Sequence, residues 1–164
     1  MDGFQAPTAL IAAVPGESDG FGAGRRDLFL DTVGDCLDMG RPTPDEAERA
    51  VERLIAVALS EESRPVRESA LHAVCLASTH HELPYRLVEP LAACADALDP
   101  PLLGHALAIL GSTHDRSALP VVERFLRHCH SGVRAEAADE LRQSRQPGRE
   151  DGRTAGDTDM RRLD

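Results

Sequence analysis

The sequence predicts an all-α fold, a short right-handed solenoid of about three helical hairpins behind a leading N-terminal helix. Apolar residues recur at helical spacing through the middle of the chain, and no segment keeps the period-two alternation, rich in Val, Ile and aromatics, that a sheet needs. A helical unit also repeats. PVRESALHAV (Pro65 to Val74), PLLGHALAIL (Pro101 to Leu110) and GVRAEAADEL (Gly132 to Leu141) superpose at separations of 36 and 31 residues, with a small Ala at the same place in each copy (Ala70, Ala106, Ala137). Aromatic residues make up only 3%, which suits thin layers filled by Leu, Val and Ala.

The elements follow in order. Residues 26–39 place Phe29, Val33, Cys36 and Leu37 on one stripe, closed by Gly40. Thr43-Pro44-Asp45-Glu46 opens the next helix: Thr43 caps, Pro44 needs no N–H partner at the first position, and Glu46 completes a capping box. Its apolar face is Ala47, Val51, Leu54, Ile55, Ala58 and Leu59. A third helix begins after Ser63 and ends near Thr79, presenting Val66, Ala70, Leu71, Val74 and Ala77. A fourth, over about residues 84–97, aligns Leu87, Val88, Leu91 and Ala95, with Pro90 expected to kink or split it. Asp99 caps a helix opened by Pro100, with Leu102, Leu103, Ala106, Leu107 and Leu110 inward and Gly111 as its stop. Ser117 opens another, burying Leu119, Val122, Phe125 and Leu126, and the last starts at Ser131 with Val133, Ala137, Ala138 and Leu141.

Residues 1–24 hold five Gly and two Pro without a sustained period, and residues 144–164 hold two large apolar side chains. Neither stretch buries enough surface to offset the entropy of ordering, so a flexible head (1–24), a folded domain (25–143) and a disordered tail (144–164) are expected. The folded part carries 13 Arg and 20 acidic residues, so most of the chain's net charge of −10 belongs to it. Phosphate-backbone binding comes from clustered cations, and this balance argues against a nucleic-acid ligand. All 18 cations are Arg, a bias that with abundant Ala, Gly and Pro points to a GC-rich bacterial source. The one early apolar run, Ala9 to Val14, is too short to cross a bilayer and follows no basic stretch, so a cytoplasmic protein without membrane attachment is expected. Cys36, Cys75, Cys94 and Cys129 lie far apart and read as unpaired thiols.

Val66-Arg67 with Ala70, and Val133-Arg134 with Ala137, resemble the second helix of the HEAT-repeat (armadillo-like) family, which opens with a Val-Arg pair followed by an Ala three residues after the Arg. SALPVVERFLRHC resembles the family's first helix, and the resemblance covers about residues 43–142. The middle copy departs from it: Leu102-Leu103 replaces the pair, and only this copy has an Asp, Asp99, in the turn where the family often places one, so a stacked Asp and Arg ladder is broken. The resemblance implies a binding surface for another macromolecule, on the inner face lined by the second helices. There the superposition sets Ser69, His105 and Glu136 in one row and His72, Ala108 and Asp139 in the next, with Gly104 and Ala108 leaving a shallow middle.

Chemistry is weakly represented. His80-His81-Glu82 and His128-Cys129-His130 lack the spacing of zinc ligand pairs and fall at helix ends, where His commonly bonds terminal carbonyls; no metal and no cofactor are expected. Cys129 between two histidines is the arrangement nearest to a nucleophile, but a helix C-terminus presents carbonyls that disfavour a thiolate. Gly20-Phe21-Gly22-Ala23-Gly24 follows no strand and reads as linker rather than phosphate loop. No catalytic residue is expected.

The reading is therefore a non-enzymatic protein-binding module, monomeric when free, whose acidity selects a basic protein partner. Among small HEAT-like proteins one use is immunity against a cognate toxin, and a basic nuclease would suit this charge. Partner binding is expected at Ser69, His72, His105, Glu136 and Asp139. Two alternatives are a scaffold or regulatory subunit of an enzyme assembly, like HEAT-like lyase subunits, and a HEAT-like DNA glycosylase. The second fits poorly, with no Trp, a single Tyr85 and the wrong charge. The C-terminal helix, polar at Glu136, Asp139, Glu140 and Arg142, is expected to cap the stack, as the leading helix does at the other end.

Overall fold

In a computed structural model of the chain, residues 23–39 and 42–145 are described. Almost all of the flexible head and disordered tail expected from composition, and the expected stop at Gly40, lie outside these residues. Among them there are seven α-helices and no strand: α1 (Ala23–Asp38), α2 (Pro44–Ser60), α3 (Arg64–Ala77), α4 (Tyr85–Cys94), α5 (Pro100–Ser112), α6 (Leu119–Arg124) and α7 (Ser131–Arg145). Short 3₁₀ turns, Ala95–Ala97 and Phe125–Arg127, extend α4 and α6.

The helices form two layers. α1, α3, α5 and α7 pack in sequence, each on the next, while α2 and α4 pair behind them and α6 closes on α5 and α7. The leading helix thus stands in the row of second helices, covering the flank of α3. One continuous core runs between the layers, with Val51, Leu54, Leu71, Leu91, Leu102, Leu107 and Leu110 essentially inaccessible. Removing such apolar area from water is the main favourable term holding the layers together.

Local sequence chemistry operates as expected at two starts. Glu46 N–H donates to the Thr43 hydroxyl (3.4 Å) and Thr43 N–H donates to the Glu46 carboxylate (2.9 Å), a complete capping box. Asp99 accepts from Leu102 N–H (3.2 Å) and also pairs with Arg64 of the preceding hairpin (3.5 Å). The two Val-Arg pairs have a common function. Arg67 Nε donates to Ala58 O at 2.7 Å, and Arg134 donates to His128 O (2.8 Å) and Cys129 O (2.9 Å), so each arginine ties its second helix to the end of the first. The middle copy has no such arginine; there Asp99 caps α5 and pairs with Arg64 at the start of α3.

Several expectations are corrected. α1 buries Leu30 rather than Phe29, which is only half-buried, because the helix is rotated to seat Gly34 against Ala73 of α3. α4 runs through Pro90 without dividing: the ring faces solvent, and the helix instead tightens into its 3₁₀ turn after Cys94. The start expected at Ser117 falls at Leu119; Ser117 belongs to a turn in which its N–H donates to Asp115 (2.7 Å). Leu126 is 40% exposed. Gly111 does not stop α5, which continues to Ser112. Glu140, expected on a polar cap, is buried.

Candidate functional site

The solvent side of the α1/α3/α5/α7 layer gathers the residues singled out in the sequence, in two neighbouring groups. Ser69, His72 and His105 line one cleft of about 380 Å³ with Asp31 of α1 and Pro65 and Glu68 of α3. The His72 and His105 rings meet edge to face at 6.0 Å between centroids. Burial, then the neighbouring His72, lowers the His105 pKa, with Glu68 pulling the other way, so His105 stays neutral at physiological pH.

Glu136 and Asp139 are not part of that cleft. They project from α7 one helix further along, and the structure joins Glu140 to them, one turn from Glu136 on the same helical face. Burial, then Asp139, raises the Glu136 pKa. Glu140 is only 9% exposed, and burial, followed by Glu136 and Asp139, pushes its carboxyl up to about 7. No hydrogen bond or ion pair joins that carboxyl to another described residue. Asp139, by contrast, is paired with Arg142.

Cys75 of α3 links the two groups. Its sulfur lies 3.8 Å from His105 Nδ1 and 3.8 Å from His105 O, and burial together with Glu136 and Glu140 pushes the thiol up to about 12. A thiol held protonated to that degree is a packing group rather than a nucleophile. The floor between α3 and α7 is α5 itself, where Gly104 has nothing within 4 Å of a notional Cβ and Ala108 is half-buried. At Gly111 a Cβ would fall 1.8 Å from Glu140 Oε2, so the carboxyl occupies the space of the missing side chain. Gly111 is required for that close approach.

Sequence reasoning left Asp31, Glu68, Cys75 and Gly111 out of the site and gave Glu140 a solvated place, on a polar cap or in an acidic field with Glu136 and Asp139 for a basic partner. The signal for Glu140 was present: the repeat register equates it with Ala73 and Ile109, both fully buried. Elsewhere, His80 lies 3.7 Å from Asp38, and His130 N–H donates to His128 Nδ1 (3.1 Å). Among the described residues no group of three or more His, Cys, Asp or Glu is placed to hold a metal ion, and none of the four cysteines is in a disulfide. No helix among them is long and apolar enough to cross a membrane.

The fold is that of a helical-repeat solenoid. The chain is similar in structure to a designed armadillo repeat protein solved in complex with the peptide (KR)4, with a TM-score of 0.53, 13% identity, and coverage of 84% of this chain and 63% of that one. It is similar also to a second designed armadillo repeat protein, with a TM-score of 0.51, 12% identity, and coverage of 84% and 64%. The chain thus spans somewhat under two thirds of the length of these repeat proteins. No protein-family model and no curated protein matches the chain.

Proposed function

We propose that the chain is a non-enzymatic protein-binding module whose α1/α3/α5/α7 face takes a basic segment of another protein. The observation that carries this reading is the placement of Asp31, Glu68, Glu136, Asp139 and Glu140 along one face, over a helix, α5, whose one ionisable side chain is the neutral His105. Carboxylates so arranged attract and orient a cationic partner and reject an anionic one. The (KR)4 peptide held by a designed repeat protein of similar fold supports the same chemistry. In its finer form the reading is a HEAT-like bacterial immunity protein, cytoplasmic and monomeric when free. It would occlude a basic toxin, with Ser69, His72, His105, Glu136 and Asp139 among the contacts.

Affinity capture from the native lysate at moderate salt, followed by a toxicity assay, tests it. Recovery of one basic polypeptide whose toxic activity disappears on adding this protein is the expected result. Recovery of a multi-subunit metabolic assembly would replace the immunity reading with a scaffold role. Salt-dependent binding to DNA would overturn both.

A further inference from the structure

The cleft shared by α1, α3 and α5 is built unlike the rest of the face. Its floor is one stripe of α3, Pro65, Glu68, Ser69 and His72, spaced by three and four residues and so on the same side of the helix. Asp31 closes it from α1 and His105 from α5. The α1 wall stands close because Gly34 has no side chain: a Cβ there would fall 3.2 Å from Ala73 Cα of α3. Asp31, one turn before Gly34, is thereby brought beside the stripe.

Two kinds of group meet in this cavity. Asp31 and Glu68 are carboxylates from different helices, and neither has a hydrogen bond or ion pair to another described residue. His72 and His105 are imidazoles held edge to face, their centroids 6.0 Å apart. His105, kept neutral by burial, adds no positive charge against an incoming cation.

Resting on the basic-segment reading, we propose that this cleft is the subsite for one arginine side chain of the bound segment, whose guanidinium bridges Asp31 and Glu68 across the α1/α3 boundary and lies against the imidazole pair. A planar fork of N–H donors reaches carboxylates on two helices at once, whereas an ammonium is a compact point of charge. A guanidinium is also weakly hydrated and stacks on aromatic rings, which suits a cavity with two rings in its lining. A metal ion is not served there, since no three His, Cys, Asp or Glu among the described residues are placed to hold one.

The later copies of the repeat lack this combination. The register equates Glu68 with Gly104 and Ala135, and His72 with Ala108 and Asp139, while Asp31 comes from a helix outside the repeat. One arginine is therefore anchored at the α1 end, which fixes the register of the segment along the face.

The test is calorimetric titration of the full chain with the peptide (KR)4 and with octalysine, for the native protein, Glu68→Gln, Asp31→Asn and Glu123→Gln, together with NMR of the His72 and His105 rings. Glu68 and Asp31 are exposed, so neither substitution disturbs the core. The native protein is expected to bind (KR)4 more tightly than octalysine, and saturating (KR)4 should move both ring resonances. Glu68→Gln and Asp31→Asn should each weaken (KR)4 binding about tenfold, the loss of one hydrogen bond to a charged group. Glu123→Gln, the same change in charge on α6, should bind as the native protein does. Native affinity in Glu68→Gln, equal affinity for the two peptides, or rings unmoved by a peptide that binds would overturn the subsite and leave the basic-segment reading standing. Failure of the native protein to bind either peptide would overturn both.

Discussion

Two glycines of α5, seven residues apart and so nearly in line on the helix, have opposite surroundings. At Gly104 a side chain would meet nothing within 4 Å, whereas at Gly111 it would run into the Glu140 carboxyl. The first glycine leaves its stretch of α5 uncovered and the second lets α7 place a carboxyl against the helix. The same residue type on one helix thus marks open space at one end and a space already filled by the protein at the other. Glycine in a helix interior costs about 0.5–1 kcal/mol relative to Ala, so each position carries a cost that its surroundings must justify.

The comparison holds only while α5 is fixed between α3 and α7, and the largest effect comes from loosening it. Leu107→Ala, at a side chain with no exposure, should lower unfolding stability by about 2–5 kcal/mol in a urea melt. Next in size is the filled end. The Glu140 carboxyl is raised in the folded state from an ordinary 4.5 to about 7, so the folded protein holds this proton more tightly than the unfolded chain. Its contribution to stability is fully present below about pH 4.5 and is lost as pH rises through about 7. Glu140→Gln should therefore be more stable than the native protein by about 2 kcal/mol at slightly alkaline pH, with a flatter stability profile between those limits.

Smaller changes sharpen the contrast between the glycines. Gly104→Ala should raise the thermal midpoint, corresponding to about 0.5–1 kcal/mol, since nothing opposes the better helix former. Gly111→Ala should change stability by less than about 0.5 kcal/mol below about pH 4.5, where eviction of the protonated Glu140 side chain from its buried place offsets the same gain. Its signature is in titration: Glu140, driven toward water, should return to the ordinary carboxylate range when followed by NMR. A Glu140 that still titrates near 7 in that variant would show that the glycine is not what admits it.

Much of the architecture was legible because it is written in local chemistry. The Thr43 capping box, the Asp99 cap and the helical spacing of buried residues such as Leu103 and Leu107 each depend on residues within a turn or two of one another, and the repeat register is the recurrence of such local patterns. The candidate site was legible only in part. Ser69, His72 and His105 come together as the register implies, but Asp31 joins them from α1, which lies outside the repeat. Gly111 was misread for a reason that generalises: a glycine near a helix end is a good stop signal, and only the neighbouring helix shows that it is kept for a close approach.

The sequence by itself determined that the chain is helical, where most helices begin, and which faces turn inward, because capping and amphipathic periodicity are properties of single segments. Only the tertiary structure decided that α1 joins the row of second helices and that Glu140 lies buried over Gly111 opposite Cys75. The physical reason is that burial and the field at a carboxyl are set by what neighbouring helices bring, and those neighbours are many turns away along the chain.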